Sequence, residues 1–236
     1  MGTGRDARGA AAGVVAAAAE DLIALSHGVH ADAELAFEEH RSSARVAEAL
    51  AAAGFDVTHG LAGMDTAVDA RIGTGDLTVA ICAEYDALPA VGHACGHNVI
   101  AAAAVGAGLA LAPLVDELGI TLRVLGTPAE EGGGGKILML DAGVFDGVHA
   151  AMMVHPAPYE SLTIPCLAVE HVGVTYRGKE AHASAFPELG RNAADALTVA
   201  QVAIGLLRQH ITSDQRIHGI VTHGGDAPNV VPGRTE

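Results

Sequence analysis

The run Glu84-Tyr-Asp-Ala-Leu-Pro-Ala-Val-Gly-His-Ala-Cys-Gly-His-Asn98 gathers Glu84, Asp86, His93, Cys95 and His97 between two apolar segments. Ahead of it, Leu77 to Ala83 is a short, mostly apolar run that predicts a buried strand; behind it, an alanine-rich segment from Val99 predicts a helix. Strand, ligand-rich loop and helix thus follow in order. A thiolate and an imidazole separated by Gly96 alone suit zinc or another borderline divalent ion, which takes sulfur, nitrogen and oxygen donors together. One loop cannot fill a coordination shell, so further ligands must come from other parts of the chain.

Upstream, helical periodicity covers Ala10 to Ser26 and Phe37 to Ala53, with Gly54 as a stop, after a polar, glycine-rich tail over residues 1–9 that predicts disorder. Strand-like runs follow at Phe55 to Thr58 and Thr66 to Ile72. Downstream come a helix Val99 to Leu118 closed by Gly119, a strand Ile120 to Leu125, a loop Gly126 to Gly135, a short helix Lys136 to Leu140, and a strand His149 to Val154 that ends in His155-Pro156. This is an α/β pattern, and from Leu77 onward its alternation predicts a mostly parallel sheet flanked by helices on both faces. Ligands in such sheets bind at the carboxyl ends of the strands. The candidates obey that rule three times: Cys95 and His97 follow one strand, Glu130 and Glu131 the next, His155 the third.

After Pro165 the texture changes. Leu167 to Arg177 has a strand pattern, a loop holds His182, Leu189 to His210 is a long helix with one apolar face, and a strand Ile217 to Thr222 leads into Pro228-Asn-Val-Val-Pro232. Strand, helix, strand is the first half of a small α+β unit. The predicted division is therefore residues 1–166 and residues 167–236.

Composition sets limits on partners. A net charge of −15, from 13 Lys+Arg against 28 Asp+Glu, with 3% aromatic residues, excludes the basic footprint that nucleic acid demands and gives no membrane-surface character. Ala10 to Ala19 could mimic a signal peptide, but it runs into Glu20 and Asp21 as one amphipathic helix; Val99 to Val115, rich in Ala and Gly, reads as a core helix and not a span. Three scattered cysteines, Cys82, Cys95 and Cys166, form no disulfide framework and point to a reducing compartment, the cytoplasm by default.

Several chemistries compete for these residues. In an extended segment Glu130 and Glu131 cannot both point the same way, so one can coordinate a metal while the other faces the substrate water as general base; the alternative is a surface acidic pair. Cys95 could be a ligand, a buried thiol like Cys82, or a nucleophile activated by His97. Gly132 to Gly135 followed by Lys136 resembles a phosphate loop without its spacing. His155 and His182 read, each taken alone, as structural or solvated histidines.

Taken together, Glu84-Tyr-Asp-Ala-Leu-Pro with Gly92-His-Ala-Cys-Gly-His-Asn98, Gly126-Thr-Pro-Ala-Glu-Glu131, His155-Pro156, Gly178-Lys-Glu-Ala-His-Ala183 and Pro228-Asn-Val-Val-Pro232 resemble, in order, the motifs of the M20 family of metallopeptidases and amidohydrolases, and within it the amidohydrolase branch. The resemblance implies a catalytic domain with two divalent ions, zinc or manganese, and a smaller ferredoxin-like lid. It implies Cys95, His97, Glu131 and His155 as metal ligands, Cys95 bridging, with Asp86 orienting a ligand and Glu130 as general base and acid. It further implies His182 on the lid as an oxyanion donor that reaches a neighbouring site in a homodimer, and Asn229 as a substrate contact. The implied reaction is hydrolysis of an amide bond in a small N-acyl amino acid or dipeptide. Asn98 stands where most of the branch has Asp, as in one of its subgroups. Family members are also longer and return to the catalytic domain with a final histidine ligand, so the expectation is a C-terminally truncated chain with both domains incomplete. The alternative to an active hydrolase is then a metal-binding, catalytically incompetent module.

Overall fold

The computed structural model describes residues 3–163 and 167–236, with side chains from residue 7 onward; Cys166 and the domain boundary predicted beside it lie outside the described residues. The chain divides into two compact units, Met1–Glu160 and Ser161–Glu236. In the first, helix starts at Thr3, where the composition predicts a disordered tail. The predicted single N-terminal helix is two, α1 (Thr3–Ala17) and α2 (Ala19–Asp32), bent by 60° at the break. The next helix, α3 (His40–Ala52), is followed by Gly54 at φ +89°, a left-handed stop that glycine adopts without steric cost. Its first N–H groups are satisfied from a distance: the Glu34 carboxylate accepts from Arg41 N at 3.0 Å and Ser42 N at 2.9 Å.

Two strands, β1 (Asp56–Leu61) and β2 (Met64–Ile72), form an antiparallel hairpin around Ala62 and Gly63, both at positive φ. The short connection dictates the antiparallel pairing. Strand β3 (Leu77–Ala83) is followed by α4 (His97–Leu111), which loosens into a 3₁₀ turn at Ala112–Leu114, where Pro113 removes a donor, and resumes as α5 (Val115–Leu118) before Gly119 at φ +61°. Then come β4 (Ile120–Gly126), α6 (Gly135–Asp141) and β5 (Ala150–Met152). The five strands make one mixed sheet in the order β1-β2-β4-β3-β5. From Leu77 onward its pairings are parallel, as the strand–helix alternation predicts, while the hairpin joins β4 antiparallel.

The central parallel strands β3 and β4 are mostly apolar because both of their faces are covered. On one face Leu122, Val124, Ile81 and Tyr85 pack with Val29, Val46, Leu50 and Val105 from the helices; on the other Leu125 and Ala80 pack with Met139 of α6. Each fully buried large aliphatic side chain contributes about 1.5–3 kcal/mol. The helical stretch His97–Leu118 is long and apolar enough to cross a membrane, yet Ile100, Ala101, Ala104 and Val105 are buried inside this unit.

In the second unit α7 (Ala193–Leu207) starts at Asn192, whose side-chain oxygen accepts from Ala194 N at 2.9 Å. It packs on a two-stranded antiparallel pair, β6 (Tyr176–Arg177) and β7 (Arg234–Thr235). Of the strand predicted at Leu167 to Arg177 only the last two residues pair, and Ile217 to Thr222 is not a strand. Alternation specifies a strand only where a neighbour offers a ladder. Here Val169, Val172 and Ile220 stand 77%, 70% and 77% exposed.

Gly126 ends β4 where Tyr85 passes over it: a Cβ there would lie 2.7 Å from the Tyr85 hydroxyl and 2.9 Å from Val68 Cβ. Gly126→Ala is expected to destabilise the first unit by about 1–3 kcal/mol through overpacking, read as a lower denaturant midpoint with an unchanged slope. An unchanged midpoint would show that Tyr85 moves aside freely.

Candidate metal centre

Beyond the end of β3 the strand alternation persists, so Tyr85 enters the core while Glu84 and Asp86 face the other way. The next helix begins at His97, whose Nδ1 lies 2.9 Å from both the Asp86 Oδ1 and the Asp86 carbonyl oxygen. Two acceptors at Nδ1 put the proton there and leave the Nε2 lone pair free. Around Nε2 stand Glu84 Oε2 at 3.3 Å, Glu130 Oε2 at 3.7 Å and Glu131 Oε1 at 3.9 Å. Of these atoms His97 Nε2, Glu84 Oε2 and Glu131 Oε1 are buried with no hydrogen-bond partner.

On the adjoining side Cys95 Sγ lies 3.6 Å from Nε2 of His155, which follows β5. Gly96 makes that approach possible. It sits at φ +85°, and a Cβ there would fall 2.6 Å from Pro156 Cγ, so any other residue would push the His155-Pro156 segment away from the thiol.

The charges are out of balance. Glu84, Asp86, Glu130 and Glu131 converge, and the facing ammonium is that of Lys136, which donates to Glu84. Burial, reinforced by Glu131, Glu130 and Glu84, pushes the Cys95 thiol up to about 12. Burial and the charge of Glu84 raise Glu130 above the ordinary carboxylate range. Asp86 is held low in spite of its burial, by the hydrogen bonds from His97 and from Glu131 N. Burial opposes the imidazolium of His97, but the bond to Asp86 and the surrounding carboxylates raise it.

A cation resolves both the unpartnered lone pairs and the excess negative charge. Among the described residues, two sets of ligand atoms each lie within 4.8 Å of one another, Cys95 with His97 and His155, and Glu84 with His97 and Glu130. Sulfur, imidazole and carboxylate together match a borderline divalent ion, so the residues fit a metal. The rival chemistries fare worse. The imidazole within hydrogen-bond reach of Cys95 is that of His155, not His97, and a thiol pushed up to about 12 is not an activated nucleophile. A phosphate at the glycine loop would meet Glu130 and Glu131, and the Lys136 ammonium is turned to Glu84.

The acidic pair differs from its prediction. Ala129 adopts φ +57°, and the chain from Glu130 to Gly133 is a turn and not an extended segment, so both carboxylates reach the same imidazole nitrogen. Glu84 with Lys136, residues to which the sequence assigned no role here, emerges as part of the cluster; its signal was the Glu84-x-Asp86 spacing on a strand end, which puts two carboxylates on one side. His182 and Asn229 belong to the second unit, where their segments pair: Ala183 N donates to the Asn229 carbonyl at 2.9 Å. Nδ1 of His182 accepts from Ser184 N and Ala185 N, both at 3.2 Å, so its Nε2 carries the proton.

Residues 80–226 match the model of the peptidase family M20/M25/M40. The chain is 40% identical over 235 residues to the Xaa-Arg dipeptidase of Mus musculus, a match covering 93% of this chain and 54% of that protein. It is 36% identical over 224 residues to a p-aminobenzoyl-glutamate hydrolase polypeptide of Escherichia coli, covering 86% and 47%. The chain thus spans about half the length of these curated relatives. Among solved structures, a Bacillus subtilis protein described as a dinuclear metal-binding peptidase of the M20 family superposes with a TM-score of 0.58 at 26% identity, over 92% of this chain and 62% of that one. An aminobenzoyl-glutamate utilization protein from Klebsiella pneumoniae shares the fold with a TM-score of 0.64 at 22% identity, over 94% and 66%. With the family model matching more than half of the sequence, the chain belongs to the M20/M25/M40 family of peptidases.

Proposed function

We propose that the chain carries the catalytic apparatus of a di-metal hydrolase acting on an amide bond in a dipeptide or small N-acyl amino acid. The observation that carries this reading is the set of buried, unpartnered lone pairs of His97, Glu84 and Glu131 beside Cys95 and His155, with His97 oriented by Asp86. Cys95, His97, Glu131 and His155 are the proposed ligands of zinc or manganese. Two donor groups that share His97, and the dinuclear Bacillus subtilis relative, support two ions. When bound, the ions polarise the substrate carbonyl and make a water proton more acidic.

The rest falls to the chain's own groups. Glu130, more exposed than Glu131 and raised by burial and by Glu84, takes a proton from the attacking water as the new C–O bond forms. It returns that proton to the amine nitrogen as the C–N bond breaks. Asp86 keeps the proton of His97 on Nδ1, so Nε2 stays a lone-pair donor throughout. His182 is the proposed oxyanion donor through its Nε2–H and Asn229 a substrate contact, roles that rest on the donor chemistry of the two side chains and on the family's pattern. The family's pattern also supports a homodimer. The free thiols of Cys82 and Cys95 suit a reducing compartment, the cytoplasm in this reading. The names of the two curated relatives support dipeptides and acyl-glutamates as the first substrates to try.

Purified without chelator, the wild-type chain is expected to carry divalent metal, and a Cys95→Ala, Glu131→Ala double variant none, by elemental analysis against protein concentration. Equal metal content in the two would remove the ligand assignment. Glu130→Gln is expected to keep its metal while losing about 10²–10⁴-fold in kcat on a dipeptide and acyl-glutamate panel. Metal bound with no turnover of any substrate by wild type would assign the chain instead to a metal-binding, catalytically incompetent module.

A further inference from the structure

We infer that Glu39 is a positioning residue: its buried carboxylate, by accepting the Ala129 N–H, fixes the left-handed turn that aims Glu130 and Glu131 into the donor cluster. The inference rests on the metallohydrolase reading above and concerns a residue that touches neither the proposed ligands nor the general base.

Glu39 is fully buried, although it immediately precedes α3, where a carboxylate would ordinarily face water. Its carbonyl starts the helix, accepting from Ser43 N at 2.9 Å, while its side chain turns inward to the sheet. There Oε1 accepts from Ala129 N at 2.8 Å and Oε2 from the buried Thr66 hydroxyl at 2.8 Å. Burial pushes the Glu39 carboxyl above its ordinary value, and the surrounding N–H and O–H donors oppose that shift. A buried charge surrounded by donors in this way is held in one place.

What it holds is a strained residue. A left-handed conformation costs a non-glycine residue about 1–2 kcal/mol, so Ala129 at φ +57° needs an external constraint. Three alternate N–H groups of the segment are pinned, two to β3 and its extension and one to the start of α3: Thr127 N to the Ala83 carbonyl at 2.8 Å, Ala129 N to Glu39, and Glu131 N to Asp86 Oδ2 at 2.9 Å. The first fixes the end of β4 and the last lies within the cluster. The middle one sits at the turn, one residue before Glu130. Without it the chain can relax to ordinary φ, which redirects Glu130 and Glu131 together.

Cobalt(II) titration of the full chain, followed by visible absorbance, tests this without any substrate. Glu39→Ala is expected to bind Co2+ about tenfold or more weakly, with a changed spectrum, because a lost supporting hydrogen bond displaces a ligand. Glu39→Gln keeps an acceptor for Ala129 N–H and is expected to stay within about threefold of wild type. A folded Glu39→Ala with wild-type affinity and spectrum overturns the inference, as does a Glu39→Gln as impaired as Glu39→Ala. If Glu39→Ala does not fold, Thr66→Val, which removes the hydroxyl that orients the carboxylate, carries the test: weaker Co2+ binding supports the role and unchanged binding overturns it. Wild type that binds no Co2+ sinks the metallohydrolase reading, and this inference with it; wild type and all variants binding alike sinks this inference alone.

Discussion

The bond between His97 Nδ1 and Asp86 is the contact on which the site turns. It joins the end of β3 to the first residue of α4, and both partners are buried, so neither has water as an alternative. Because Asp86 Oδ2 also accepts Glu131 N, a single carboxylate sets the direction of one imidazole and the position of the acidic turn after β4. The third loop, after β5, is brought in by packing: Pro156 lies against Gly96, and that contact decides how near His155 comes to Cys95. Three loops from three parallel strands therefore register against one another through one carboxylate and one missing side chain.

What the sequence makes legible is whatever is local to the chain. The apolar run Leu77 to Ala83 and the segments after it give a parallel arrangement, and the carboxyl-end rule then places Cys95, His97, the Glu130-Glu131 pair and His155 on one rim, where the structure brings them together. What it leaves hidden joins distant positions. The Lys136–Glu84 pair links residues 52 apart and the Glu39–Ala129 bond residues 90 apart, and no spacing or periodicity announces either. The acidic pair departs from expectation for a related reason: an extended path is the natural assumption for Thr127 to Glu131, and the left-handed φ of Ala129, a residue with no preference for it, overrides that assumption. In the second unit the alternation at Leu167 to Arg177 and Ile217 to Thr222 is a genuine pattern, but a pattern becomes a strand only beside a partner.

The hydrogen-bond pattern also separates two kinds of buried charge. Both carboxylate oxygens of Asp86 and of Glu39 are engaged by N–H or O–H donors, which suits fixed parts of a frame. Glu84 and Glu131 each keep a buried oxygen with no donor at all. Among the described residues, the other buried side-chain polar atoms without a partner are His97 Nε2, in the same cluster, and His93 Nδ1. That contrast marks Glu84 and Glu131 as waiting for something positive.

The crowding of Glu84, Asp86, Glu130 and Glu131 around one imidazole, with Lys136 as the facing ammonium, sets charges of one sign close together in a partly buried place. Neutral replacements of Glu130 or Glu131 relieve repulsion in the metal-free chain while erasing the cluster. The metal-free chain therefore bears a repulsion that only a bound cation neutralises.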